Sequence, residues 1–469
     1  MLVFSVMEMS LNNFFYPKNI AVVGASNNPR KFGYELMKNI IEGGYRGKIF
    51  PINIKEEEVM GFKAAKTIKE VQEKIDLVII AIPAGFVPQV VRECAEKGIK
   101  NIIIVSGGFS EVGEEGKKLE EEVVKIAKEN DIRIIGPNCV GIQNTEVSLN
   151  ASFVMRALPG SIGIITQSGA LGASQIYMAT SEGIGFSKFI NLGNACDVSI
   201  PEAIKYLADD PQTKVIALYI EGVSRGKEFM EALKYATAKK PVVVVKAGRT
   251  EAGMRAVLSH TGSLAGRDAI FDAVFKQTGA IRVETLQQLF NVSRLIVEQP
   301  PPSGKRIAII TNAGGAGVLS ADECAKHDLI LTELTEETKN ALRSFLPPIA
   351  SVLNPVDIIA SANMEVYRKT VETVIKDPNV DCLLVACVVP TFLGMKPDEH
   401  ARGVVEALKN VKIRKTVIAC WMAGKIAEPG KKILSENHVP AYSCPKEAVY
   451  ALAKYIKYLE FKKASKNVG

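Results

Sequence analysis

The sequence predicts doubly wound α/β domains, each a parallel sheet with helices on both faces. Short β-branched runs recur along the chain without alternating polar residues, as strands buried on both faces require. Amphipathic helical stretches, such as Glu111–Asn130 and Glu447–Lys463, stand between or after these runs. With 469 residues, and roughly 150 residues per domain, the chain holds about three such domains.

The first part, 1–148, carries runs at Ile20–Gly24, Lys48–Ile52, Leu77–Ile82, Asn101–Val105 and Ile132–Ile135. The second, 149–300, carries Ile162–Thr166, Val215–Ile220 and Val242–Lys246. The third, 301–469, carries Ile307–Thr311, Cys382–Val389 and Thr416–Ala419. Residues 145–161 lack a clear helical period and contain Pro159 and Gly160, which places the first boundary. Gln299–Gly304, QPPPSG, places the second, because proline suits neither a helix interior nor a central strand. The second and third parts look like a duplication. Ile164-Ile165-Thr166 with Gly169 and Gly172 recurs as Ile309-Ile310-Thr311 with Gly314 and Gly317. Asn194-x-x-Asp197 recurs as Asn354-x-x-Asp357, and Ala247-Gly248 as Ala423-Gly424, in the same order.

Hydrophobic residues make up 47% and charged residues 23%, a globular balance that excludes disordered, collagen-like and disulfide-scaffold chains. Lys+Arg 58 against Asp+Glu 51 gives a net charge of +7. No Lys/Arg block interleaves with aromatics, so nucleic acid is not an expected partner, whereas a small anion is compatible. Eight Cys without CxxC pairs or His-linked spacing predict no zinc site and a reducing compartment. Apolar stretches such as Leu77–Val87 fall short of the ~20 residues that span a bilayer. The start, MLVFSVMEMS, has neither a basic segment nor a small-residue cleavage site. The chain therefore reads as cytoplasmic, with no membrane partner.

In the first part, Gly24-Ala25-Ser26-Asn27-Asn28-Pro29-Arg30-Lys31-Phe32-Gly33 follows the first strand and opens a helix. A Rossmann fold seats ligand phosphates there, on free helix N–H groups. The loop is not GxGxxG: Ser26 stands at the second glycine, and an insertion carries Pro29, Arg30 and Lys31. The second strand ends in Asn53-Ile54-Lys55, where a dinucleotide enzyme favours an acid for a ribose hydroxyl. Asn53 and Lys55 suit a phosphorylated ribose instead, as in coenzyme A. A degenerate NAD fold or a purely structural domain is the alternative. Later strand ends at Pro83, at Ser106-Gly107 and at Gly136-Pro137-Asn138 can reach the same crevice. Cys139 has no nearby His and reads as a buried small residue rather than a nucleophile.

Four histidines occur. His327, His400 and His438 read as surface or capping residues. His260 differs, because Ser259, Gly262 and Ser263 flank it just before a helix at Asp268–Gln277. Gln167-Ser168-Gly169 and the loop Gly314-Gly315-Ala316-Gly317 each open a helix after a strand, so each is a candidate phosphate seat. An ordinary βα turn is the alternative for each. Two such seats and one exposed His suggest a phosphohistidine. A carboxylate then fixes the imidazole tautomer, and Glu221, ending a strand, is the candidate.

Taken in order, GASNNPRKFG, SGGFSE, GPNCVG, TQSGALG, YIEG, SHTGSLAG and TNAGGAG resemble the α subunits of nucleoside-diphosphate-forming acyl-CoA synthetases, relatives of succinyl-CoA synthetase. The resemblance covers the chain after about Ser10. It implies a Rossmann-like CoA-binding domain followed by two flavodoxin-like doubly wound domains. It implies that Gly24, Ser26, Lys31, Asn53, Lys55, Pro83, Ser106, Gly107 and Asn138 line coenzyme A. His260 would be the phosphorylated histidine and Glu221 its carboxylate. Ser168, Gly169, Gly314, Gly315, Ala316 and Gly317 would hold phosphate. ADP/ATP and Mg would bind an ATP-grasp β subunit, in an assembly such as α2β2, because three domains leave no room for that module and no GxxxxGK[ST] loop occurs. A small carboxylic acid and its acyl-CoA would be the substrates. Competing readings are a CoA-binding regulatory module without catalysis, and an NAD-dependent dehydrogenase.

Overall fold

The computed structural model describes residues 11–261, 267–392 and 394–467, without the side chains of 258–261 and 466–467. The chain divides into two compact units, Met1–Leu286 and Gln287–Gly469. The first holds two main sheets and the second holds one.

The first sheet has five parallel strands, in the order Lys48–Ile52, Asn19–Val23, Leu77–Ile80, Asn101–Ile104, Arg133–Ile135. Its central strands are wholly buried, which explains their unbroken Leu, Val and Ile runs. From Asn19–Val23 the chain first steps to one side and then returns to the other. The sheet is therefore split at its carboxyl edge between Asn19–Val23 and Leu77–Ile80, where such folds bind ligands.

The second sheet has seven strands, in the order Ile281–Val283, Val242–Lys246, Val215–Ile220, Pro159–Thr166, Phe186–Asn191, Gly141–Asn144, Leu149–Ser152. The first five are parallel, and the last two form an antiparallel hairpin on the edge. Position 148, the sequence-based break, falls inside this hairpin.

The second unit carries a sheet in the order Ile330–Leu331, Arg306–Thr311, Cys382–Val388, Thr416–Met422, Ala441–Tyr442, with Val356–Asp357 also paired to Arg306–Thr311. Its five-strand path matches the parallel part of the second sheet, strand for strand, as a duplication predicts. The turns agree as well. Thr166 Oγ1 donates to the Ser168 carbonyl, and Thr311 Oγ1 to the Ala313 carbonyl. Gln167 and Asn312 each accept a backbone N–H at the end of the neighbouring strand. Ala247-Gly248 and Ala423-Gly424 follow matching strands. The Asn-x-x-Asp pair does not correspond: Asn194 follows Phe186–Asn191 and binds Glu111 and Glu120, whereas Asn354 bridges Ile307, Ile309 and Thr332.

The units divide one helix before the proline run. Helix Leu286–Glu298 belongs with the second unit: Arg294 donates to Ser435, and the Asn291 carbonyl accepts from Tyr442. Gln299 and Pro300 then accept hydrogen bonds from Val417 and Thr416, so the QPPPSG run is bonded to the neighbouring strand. Among the described residues, no helix is long and apolar enough to cross a membrane.

Candidate active site

All nine predicted CoA-lining residues fall at the carboxyl edge of the first sheet. Gly24, Ser26 and Lys31 follow its first strand, and Asn53 and Lys55 its second. Pro83, Ser106-Gly107 and Asn138 follow the remaining three. The edge is tightly built. Gly24 has φ +89, and a Cβ there would lie 2.4 Å from the Ala81 carbonyl oxygen. A Cβ at Gly33 would lie 1.9 Å from the Gly24 carbonyl oxygen, so these two glycines let helix Phe32–Glu42 start directly against the turn. Ser106 Oγ donates to the Ile82 carbonyl at 2.5 Å, and the Asn138 N–H donates to the Ser106 carbonyl at 2.8 Å. Cys139 is buried, and burial first of all pushes its thiol up to about 12, as expected of an inert core cysteine.

Glu56 has a structural role that the sequence did not suggest. Its carboxylate accepts from Ser26 Oγ at 2.8 Å, from the Asn27 N–H at 2.9 Å and from Asn27 Nδ2 at 2.6 Å. Asn53 Nδ2 also donates to it at 3.3 Å and to the Ala25 carbonyl at 2.6 Å. The Asn27 N–H leads the interactions that hold Glu56 below the ordinary carboxylate range. Ser26 and Asn53 are thus committed to shaping the loop. The groups that face outward are the Lys31 and Lys55 side chains, which are exposed. The helix adds its first N–H groups, which have no intrahelical acceptor. In the SGGFSE loop, burial pushes Glu111 up, but bonds from Asn194, Gly108 and Phe109 outweigh it and hold the carboxyl down.

At the second sheet, Glu221 is 8% exposed and accepts from Tyr219 Oη at 3.3 Å. Gln167 Oε1 accepts the N–H groups of Glu221 at 2.6 Å and Gly222 at 3.2 Å, which ties Glu221 to the QSGALG turn. Ser168 caps helix Gly169–Ser181 by accepting from the Leu171 N–H. Gly169 opens that helix. In the second unit, Gly314 and Gly315 are exposed at the start of helix Gly314–Lys326, whose N-cap Ala313 supplies no side-chain bond. Ala316 and Gly317 are different: both are buried, and their N–H groups donate to the Ala313 carbonyl. They build the turn, at whose outer side Gly314 and Gly315 are exposed.

His260 lies in the last turn of helix Glu251–Thr261, and its side chain lies outside the described residues. His327 is the C-cap of helix Gly314–Lys326, and His438 is exposed, as expected. His400 is a correction: it is wholly buried, packs against Tyr367, and its Nε2 lies 2.9 Å from the Ala362 carbonyl. Its polar neighbours in sequence concealed an inward-facing helix position.

This arrangement, a CoA-type nucleotide domain followed by duplicated ligase-type domains, agrees with comparisons across known proteins. Residues 18–145 match a CoA binding domain, 159–296 a succinyl-CoA ligase like flavodoxin domain, and 307–466 a ligase-CoA domain. The chain is 51% identical to the acetate–CoA ligase (ADP-forming) II subunit alpha of Pyrococcus furiosus, covering 95% of this chain and 98% of that one. It is 41% identical to the acetate–CoA ligase (ADP-forming) of Methanocaldococcus jannaschii, covering 96% of this chain but 64% of that longer one. The structure of the dinucleotide-forming acetyl-coenzyme A synthetase 1 of Ca. Korarchaeum cryptofilum, in complex with phosphate and ADP, superposes with a TM-score of 0.92. That match has 34% identity and covers 98% of this chain and 99% of that one. The chain belongs to the family of ADP-forming acetate–CoA ligase alpha subunits.

Proposed function

We propose that the chain is the α subunit of an ADP-forming acyl-CoA synthetase, running acyl-CoA + phosphate + ADP reversibly to acid + CoA + ATP. Inorganic phosphate attacks the thioester carbonyl, the C–S bond breaks, and CoA leaves as an acyl phosphate forms. A ring nitrogen of His260 then attacks phosphorus, the acyl P–O bond breaks, and the carboxylate leaves. The phosphoryl group finally passes from His260 to ADP. Glu221 accepts the other ring N–H and so keeps the nucleophilic lone pair available. Helix N-termini at Ser168-Gly169 and Gly314-Gly315 stabilise the phosphoryl charge.

The observation that carries this reading is the set of strand-end loops, each at the carboxyl edge of its sheet, in a chain matched over at least 95% of its length by ADP-forming alpha subunits. An ATP-grasp β subunit, supplying ADP/ATP and Mg, completes the enzyme as a cytoplasmic hetero-oligomer such as α2β2. The longer one-chain relatives support this, since this chain spans 64% of their length. Co-expression with such a subunit, followed by assay over a panel of acyl-CoAs, tests the reading. Thioester-dependent ATP formation that His260→Ala abolishes is the expected result. Normal turnover in His260→Ala would overturn it.

A further inference from the structure

Lys246 ends strand Val242–Lys246 and is only 2% exposed. Burying an ammonium is unfavourable unless it is paired. Yet the partners of Lys246 are modest: its Nζ donates to the adjacent Ala247 carbonyl and lies 4.7 Å from the Phe271 ring centre. Burial leads the effects on it and pushes its pKa down, while Asp268 and Glu221 act in the opposite direction. In the sheet register Lys246 stands opposite Ile220, immediately before Glu221. Two arginines near it are already committed, Arg282 to Asp268 and Asp272, and Arg249 to Asp268 and Glu284.

We infer that Lys246 is a positioning residue for phosphoryl transfer, a buried counter-charge that lets a phosphoryl group approach the Glu221 carboxylate. This rests on the reading of His260 as the phosphoryl carrier. A phosphoryl group brings about −1.5 to −2 charges near pH 7, and beside a carboxylate in a dry site that repulsion is strong. A cation fixed on the adjoining strand offsets it without moving. The burden on the free protein is the ordinary one for a functional group held in an unfavourable place.

The test uses the chain assembled with its ATP-binding subunit, acetyl-CoA and radiolabelled inorganic phosphate. Lys246→Met preserves the side-chain length and removes the charge. It is expected to slow labelling at least about tenfold and to raise KM for phosphate. KM for acetyl-CoA should stay unchanged, and Tm should stay equal or rise, which a structural role for Lys246 would not produce. Lys246→Arg should keep most of the labelling. Wild-type labelling in Lys246→Met overturns the inference and leaves the His260 reading intact. So does a loss in Lys246→Arg as large as in Lys246→Met, because charge is then not what matters. Absence of label on the wild-type chain removes the His260 reading and this inference with it.

Discussion

Glu56 shows how one side chain can set a loop's chemistry. Its carboxylate gathers Ser26, Asn27 and Asn53, so Glu56→Ala releases three loop residues at once. Leaving the buried Ser26 hydroxyl donor unpaired costs about 1–3 kcal/mol, or roughly 5- to 150-fold in an equilibrium. Titration calorimetry of CoA into the full chain should show weakening of that order, and unchanged affinity would remove the loop role. Gly24→Ala should be worse, since a side chain is strained at φ +89 and meets the Ala81 carbonyl. The same measurement checks it, with wild-type affinity as the contrary result. The lowered Glu56 and Asp381 carboxyls also fix the direction of acid stability. A carboxyl lowered in the folded state stabilises fully above its unfolded value and loses that contribution as pH falls through its folded value. Urea midpoints should therefore hold near neutral pH and fall below about pH 4. Replacing Asp381, whose leading interaction is with Arg306, by Asn should shrink that acid-side fall.

At the level of elements, the legible strands were those built mainly of Val, Ile and Leu, with polar residues at most near their ends. Val215–Ile220, and Asn101–Ile104 after its first residue, are buried on both faces and read as apolar runs. Strand Phe186–Asn191 was not legible, because its buried Ser187, Lys188 and Asn191 imitate a loop. The edge hairpin was hidden in the same way. Its Gln143, Asn150 and Ser152 are buried and hydrogen-bonded to one another and to the backbone at Val154 and Met155. Lys188 and Asp210 form a buried ion pair at 2.7 Å, joined by Thr213. Asp210→Ala should destabilise by about 3–5 kcal/mol, because it strands a buried ammonium. Chemical denaturation checks this, and a loss under about 1 kcal/mol would mean that the pair is not buried in solution.

Across the whole molecule, the loops proposed to seat phosphate were legible as turns that follow a strand and open a helix, because a βα turn fixes where N–H groups point. The roles of Glu56, Gln167 and Lys246 were not, because each depends on a partner distant in sequence. Two copies of one strand order repeat the same turn chemistry, Thr166 with Gln167 and Thr311 with Asn312. In the proposed reaction one side chain, His260, carries the phosphoryl group from the acyl phosphate to ADP. The direct measurement is mass spectrometry under alkaline conditions after incubating the assembled enzyme with acetyl-CoA and phosphate. The account predicts acid-labile phosphate on His260, lost in His260→Ala and discharged by ADP. Catalytic turnover with no phosphate on His260, or phosphate on a different residue, would contradict it.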